Sequence, residues 1–184
     1  MNKKIVMYLP VIIILAFITY NYFHNDRASR AAIVPVPGTT ASVQALGSRT
    51  KTSTCAARGA LPDSACTPGD LLISSTKEQI CRSGYSKTVR NVPTAVKSQV
   101  FKEYGILSHS VGEYEVDHLI SLELGGSNAI SNLWPEAAIP MPGFHEKDAV
   151  ENYLHSQVCT GVIGLSQAQQ EVASNWLQVY QQMR

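Results

Sequence analysis

The stretch Tyr114–Trp134, YEVDHLISLELGGSNAISNLW, constrains the fold more than any other part of this chain. Glu113-Tyr-Glu-Val-Asp-His118 alternates along its length and predicts a short strand. Gly125-Gly126-Ser-Asn signals a turn or loop. Asn132-Leu133-Trp134 predicts a second short strand, stopped by Pro135, and Ile139-Pro-Met-Pro-Gly143 predicts an extended connection. A helix is expected over His145–Val158, with Ala149, Tyr153 or Leu154, and Val158 facing the core. The order is therefore strand, loop, strand, helix.

Further helices flank this unit. Over Thr94–Tyr104, Val96, Val100 and Tyr104 recur at four-residue spacing, and Gly105 stands where a left-handed C-terminal cap belongs. Ser166-Gln-Ala-Gln169 matches a capping box and opens a last helix. Its inward stripe is Ala168, Val172, Trp176 and Val179 or Tyr180. The expected fold class is α+β, and there is no internal repeat.

The chain begins differently. Asn2-Lys3-Lys4 precedes Ile5–Phe23, which is apolar except for Pro10, Thr19 and Asn21. An apolar run of about 20 residues spans a bilayer as a helix, whereas a secretory core is about 7–15 residues. The length favours an uncleaved inner-membrane signal anchor, its basic end inside and the rest facing the periplasm or exterior. The alternative is a cleaved signal and a secreted protein, since Ser29-Arg30-Ala31 fits a small-x-small site. Residues 1–25 are read as this anchor or signal peptide. Residues 26–64, rich in Pro, Gly, Ser, Thr and Ala without a period, are read as a linker, and 65–184 as one domain.

Cys55, Cys66, Cys81 and Cys159 form no C-x-x-C pair, which argues against a zinc knuckle. Behind an export segment they are expected in disulfides, with three pairings open. Formal net charge is +1, but it is unevenly spread. Lys77, Arg82, Lys87, Arg90, Lys97 and Lys102 face one acid, Glu78, whereas ten acids between Glu103 and Glu171 face only Lys147. A basic segment beside an acidic one suits a protein that grips a phosphate backbone and collects a cation, and Lys87 and Arg90 are the expected nucleic-acid contacts.

The strand end carries the chemistry. Asp117 can ligate a metal while His118, neutral near pH 7, takes a proton from water. His145, at the start of the following helix, can reach back to complete the metal site. Asn132 either joins the site or holds the loop through backbone hydrogen bonds. Carboxylate suits magnesium, and imidazole widens the choice to manganese, nickel or zinc. The metal would stabilise charge on the phosphorane and the departing oxygen.

Asp117-His118, Gly125-Gly126-Ser-Asn, Asn132-Leu133 and His145-x-Lys147 resemble, in order, the elements of the HNH endonuclease motif of the ββα-metal superfamily. Cys66-Thr-Pro-Gly, Cys81-Arg-Ser-Gly-Tyr-Ser-Lys-Thr-Val-Arg90 and Val158-Cys-Thr-Gly161 resemble exported bacterial and phage HNH proteins. The resemblance implies a ββα-metal core and an endonuclease that hydrolyses DNA phosphodiesters. It implies His118 as general base, Asn132 as the central Asn, and Asp117 and His145 as ligands of one divalent metal. A non-catalytic nucleic-acid-binding module and a structural envelope domain are the competing readings. No residue pattern identifies an immunity or inhibitor protein.

Overall fold

The computed structural model describes residues 46–184. The expected anchor or signal segment 1–25, and the linker up to residue 45, lie outside the described residues. Among the described residues no helix is long and apolar enough to cross a membrane. The fold there is α+β, with helices around one two-stranded sheet. In chain order the elements are α1 (Lys77–Ile80), α2 (Tyr85–Val89), α3 (Thr94–Glu103), β1 (Tyr114–His118), β2 (Leu133–Ala137), α4 (Phe144–Thr160) and α5 (Leu165–Gln182).

β1 and β2 pair antiparallel, with Asp117 opposite Trp134 and His118 opposite Leu133. The second strand does not stop at Pro135, as expected, but runs through it to Ala137. The register explains why. Leu119 N–H donates to Asn132 O, and Ala138 N–H to Glu113 O. Hydrogen-bonded and non-hydrogen-bonded pairs alternate in an antiparallel ladder, so Val116 and Pro135 face each other at a non-hydrogen-bonded position. The ladder asks no N–H of Pro135 there, and both strands are edges, where proline is tolerated.

The loop between the strands is closed by Asn132, which is fully buried. Its Oδ1 accepts from Ile120 N–H at 2.9 Å and from Asp70 N–H at 3.3 Å. Its Nδ2 donates to Ile120 O and Ser127 O, both at 2.9 Å. Gly126 passes so close to this clamp that a Cβ there would sit 1.8 Å from Ile120 O. Gly125, at φ +77°, ends the short 3-10 turn Leu122–Leu124 in the left-handed conformation that glycine adopts without strain.

On α4 the buried stripe is Phe144, Lys147, Val150, Leu154 and Val158. Leu154 and Val158 face the core as expected, whereas Ala149 and Tyr153 face solvent. The face is turned because Lys147 is drawn inward by acids, as described below. On α5, Ala168, Val172, Trp176 and Val179 are buried as the stripe predicts. The capping box does not form. The helix starts at Leu165 after Gly164 without a side-chain cap, and Gln169 turns inward to donate to Leu124 O at 2.8 Å. These stripes meet Ile80, Ile120 and Leu124 in the main core.

Residues 46–64, expected as linker, pack on the domain. Arg49 pairs with Glu103 and donates to Cys66 O at 2.8 Å, Lys51 pairs with Asp63 at 2.8 Å, and Trp176 donates to Ala60 O at 2.9 Å. Cys55 is buried, and Ala60 and Leu61 pack against the main core, so the segment is ordered by tertiary contacts that its composition does not show. Two disulfides, Cys55–Cys66 and Cys81–Cys159, use all four cysteines and are compatible with an exported protein.

The two bridges close chain separations of 11 and 78 residues. Loop-closure entropy then predicts a loss of about 3 kcal/mol for the first and about 4–5 kcal/mol for the second. Urea unfolding of the paired variants Cys55→Ser/Cys66→Ser and Cys81→Ser/Cys159→Ser should show the larger loss for the second pair. The reverse order would mean that local packing, not chain closure, sets their contribution.

Candidate active site

The end of β1 is fastened to α4 by a buried ammonium. Lys147 Nζ donates to Asp117 Oδ2 at 2.6 Å, to His118 O at 2.8 Å, and to Glu151 one helical turn on. These three acceptors match the three protons of the ammonium. Lys147 is 0% exposed. Burial opposes its charge, but Asp117, Glu151 and Glu136 together raise its pKa above the ordinary lysine value. Burial likewise works against ionised Asp117, and the charge and hydrogen bond of Lys147 overcome it, holding that carboxyl below its ordinary range.

The surrounding acids go the other way. Glu136 lies on the same sheet face as Asp117, two residues along from its cross-strand partner. Its carboxyl oxygens meet no donor. Burial pushes it up to about 10, with Asp117 and Glu151 adding to the rise against Lys147, so it carries its own proton. That proton can be shared with Asp117, whose anionic form benefits from a hydrogen bond with Glu136. Burial also lifts Glu151 to about 8 and raises Asp148 and Glu115 above their ordinary values, with Asp117 adding to all three. The site therefore holds more carboxyls than nearby cations can keep ionised.

Beside this network lies a polar cavity of about 130 Å³. Asp117 and His118 both line it, with Ser86 and Arg90 from the α2 side, Glu123 from the interstrand loop, and Asp148, Glu151 and Asn152 from α4. Adjacent strand residues normally project to opposite faces. The pair shares one cavity because the strand ends at His118. His118 is 2% exposed, and burial holds its pKa down to about 4, against Asp117 and the Asn128 hydrogen bond, which raise it. It is a neutral imidazole at neutral pH.

The expected site residues thus divide. Asp117, His118 and Arg90 come together. Lys87 is exposed on α2 and does not line the cavity. Asn132 does not line it either, since its amide is occupied by the loop clamp. His145 is exposed in the first turn of α4, its ring tilted by 57° against Phe144 at 4.3 Å between centroids, and does not line the cavity. In its place α4 presents Asp148 and Asn152, one turn apart, with Glu151 beside them. Sequence reasoning missed these three. Their signal was the i, i+4 spacing of 147/151 and 148/152, visible once Lys147 rather than Ala149 is taken as inward.

The cavity offers oxygen donors, but among the described residues no three of its carboxylates bring ligand atoms within 4.8 Å of one another. Asp117 has one carboxylate oxygen beyond its bond to Lys147, and Asp148, Glu151, Glu123 and the Asn152 amide supply further oxygens. These oxygens suit a hard cation such as magnesium or manganese, and the His118 imidazole in the same lining leaves nickel or zinc open. One group of three His, Cys, Asp or Glu residues among the described residues does bring its ligand atoms within 4.8 Å of one another. It is Cys81, His155 and Cys159, which could hold a metal ion of unknown identity. Its two sulfurs are joined as a disulfide, so it offers thiolates only after reduction.

Family models, curated proteins and solved structures yield no significant match to this chain.

The depressed His118 pKa gives a stability test. The native imidazole binds its proton near pH 4 and the unfolded one near 6.5, so acid favours the unfolded chain between these values. The contribution is complete above about pH 6.5 and is lost as pH falls to about 4, on the order of 3 kcal/mol. Denaturant unfolding in EDTA at pH 7 and pH 4 should show a smaller acid loss for His118→Gln than for wild type. Equal losses would show that His118 is not held neutral.

Proposed function

We propose that this protein is an exported, metal-dependent endonuclease that hydrolyses DNA phosphodiester bonds. The observation that carries the reading is the cavity itself, where a neutral imidazole, a carboxylate and a guanidinium converge beside a carboxyl-rich helix face. His118 accepts a proton from the attacking water. Arg90 binds a non-bridging phosphate oxygen, a role for which its planar fork is suited. Asp117, with Asp148 and Asn152 from α4, would hold one magnesium or manganese ion. When bound, the ion supplies Lewis-acid stabilisation of the phosphoryl and leaving oxygens. Glu151, whose acid form is favoured without a cation, would give up its proton as the positive charge enters.

The resemblance of 114–148 to the HNH motif supports the same assignment for Asp117 and His118, but not for His145. The basic run Lys77–Lys102 offers point charges for phosphates, so backbone cleavage with little sequence preference is expected. Attachment through residues 1–25, or release after signal cleavage, would place the domain on the outer side of the inner membrane. One observation favours the competing non-catalytic nucleic-acid-binding module. Lys147 already neutralises Asp117, so the fold does not require a metal to hold that carboxylate.

The test is plasmid nicking by the oxidised protein with magnesium or manganese. Wild type should cut and EDTA should silence it. His118→Ala should lower the rate by about 10²–10⁴-fold with substrate affinity retained. Asp148→Ala should raise the metal concentration needed for half activation, while His145→Ala leaves it unchanged. Failure of wild type to cut any DNA with either metal would leave the binding-module reading standing.

A further inference from the structure

Asn128 follows Gly-Gly-Ser in the interstrand loop and does not itself line the cavity. Its amide makes three contacts. Nδ2 donates to Val89 O at 2.8 Å, while Oδ1 accepts from Asn91 N–H at 3.1 Å and lies 3.2 Å from His118 Nε2. The two backbone contacts decide which way the amide points. A carbonyl only accepts and a peptide N–H only donates, so Nδ2 must face Val89 and Oδ1 must face Asn91. Oδ1 is an acceptor only, so the neutral imidazole must meet it with a proton on Nε2. Nδ1 is then the nitrogen that keeps its lone pair.

Val89 and Asn91 flank Arg90, whose side chain lines the cavity with His118. One amide therefore touches the histidine directly and holds the backbone on both sides of the guanidinium. We infer that Asn128 is a positioning residue that fixes His118 as the Nε2–H tautomer, with Nδ1 as its basic atom, and ties that imidazole to the segment carrying Arg90.

The structural alternative is a loop amide that merely stabilises a turn. It has no stake in which imidazole nitrogen is protonated, because a turn needs only the bonds to Val89 and Asn91. The tautomer is therefore the discriminating readout. The kinetic part of the inference rests on the nuclease reading, whereas the tautomer part does not.

Long-range proton–nitrogen NMR correlation on the full oxidised domain at pH 7, without metal or DNA, distinguishes a protonated ring nitrogen from a bare one. Wild type should show His118 with the proton on Nε2. Asn128→Asp keeps an oxygen towards His118 and Asn91, and should retain that tautomer. Asn128→Ala should give a tautomer mixture. Thermal melts identify variants that fold; if Asn128→Ala does not, Asn128→Ser, too short to reach all three partners, takes its place.

In nicking assays Asn128→Ala should lower kcat and raise KM by about 10-fold each, and its KM effect should vanish in an Arg90→Ala background. An unchanged, single Nε2–H tautomer in Asn128→Ala, or a proton on Nδ1 in wild type, overturns the inference. A KM effect that persists without Arg90 overturns the tie to that segment. If wild type cuts nothing, the nuclease reading fails, and the tautomer result alone decides the role of Asn128.

Discussion

The Lys147 ammonium is the interaction on which the site depends. A buried charge must be paired and fully hydrogen-bonded, and removal of one partner typically costs about 3–5 kcal/mol. Lys147 meets this demand with Asp117, the His118 carbonyl and Glu151. The first two lie at the end of β1 and the third on α4. Strand end and helix are therefore joined by one group, and the rotation of α4 about its axis follows from it. With Lys147 inward, His145 is carried to the outer face, and Asp148 and Asn152 are carried to the cavity.

This linkage also explains what was legible in the sequence and what was not. The strand at 114–118 and the stripe Ala168, Val172, Trp176, Val179 follow from periodicity, which depends only on neighbours along the chain. Adjacent strand residues point apart, so Asp117 and His118 could converge only if the strand bent or ended there, and it ends at His118. The face of α4 was not legible, because a periodic reading takes lysine as outward and cannot see the acids that draw it in. Pro135 was misread as a stop, since only the register shows that its partner position requires no N–H. The ordering of residues 46–64 depends on Cys66, Glu103 and Trp176, partners that local composition cannot show.

Charge clustering was informative in outline and silent in detail. The basic run does deliver a cation to the acidic segment, through Arg90, while Lys87 one helical turn earlier stays in solvent. Asn128 holds the backbone on both sides of Arg90, at Val89 and Asn91. Similarly, Asn132 and Asn128 are four residues apart and look interchangeable in sequence. One is spent on closing the loop, and the other faces the histidine. Asn132 lies against Gly126 inside the tight loop, whereas Asn128 reaches Val89 and Asn91.

The central claim is that the cavity between Asp117, His118 and α4 is a divalent-cation site serving phosphodiester hydrolysis. Anomalous diffraction from crystals of the oxidised domain soaked in manganese tests it most directly. The account predicts one strong peak in this cavity, about 2.1 Å from an Asp117 oxygen and from an oxygen of Asp148, Glu151 or Asn152. Asp117 would keep its bond to Lys147, and His145 would remain unbound. A cavity without manganese, with ions only at other surface carboxylates or at His145, would contradict the account.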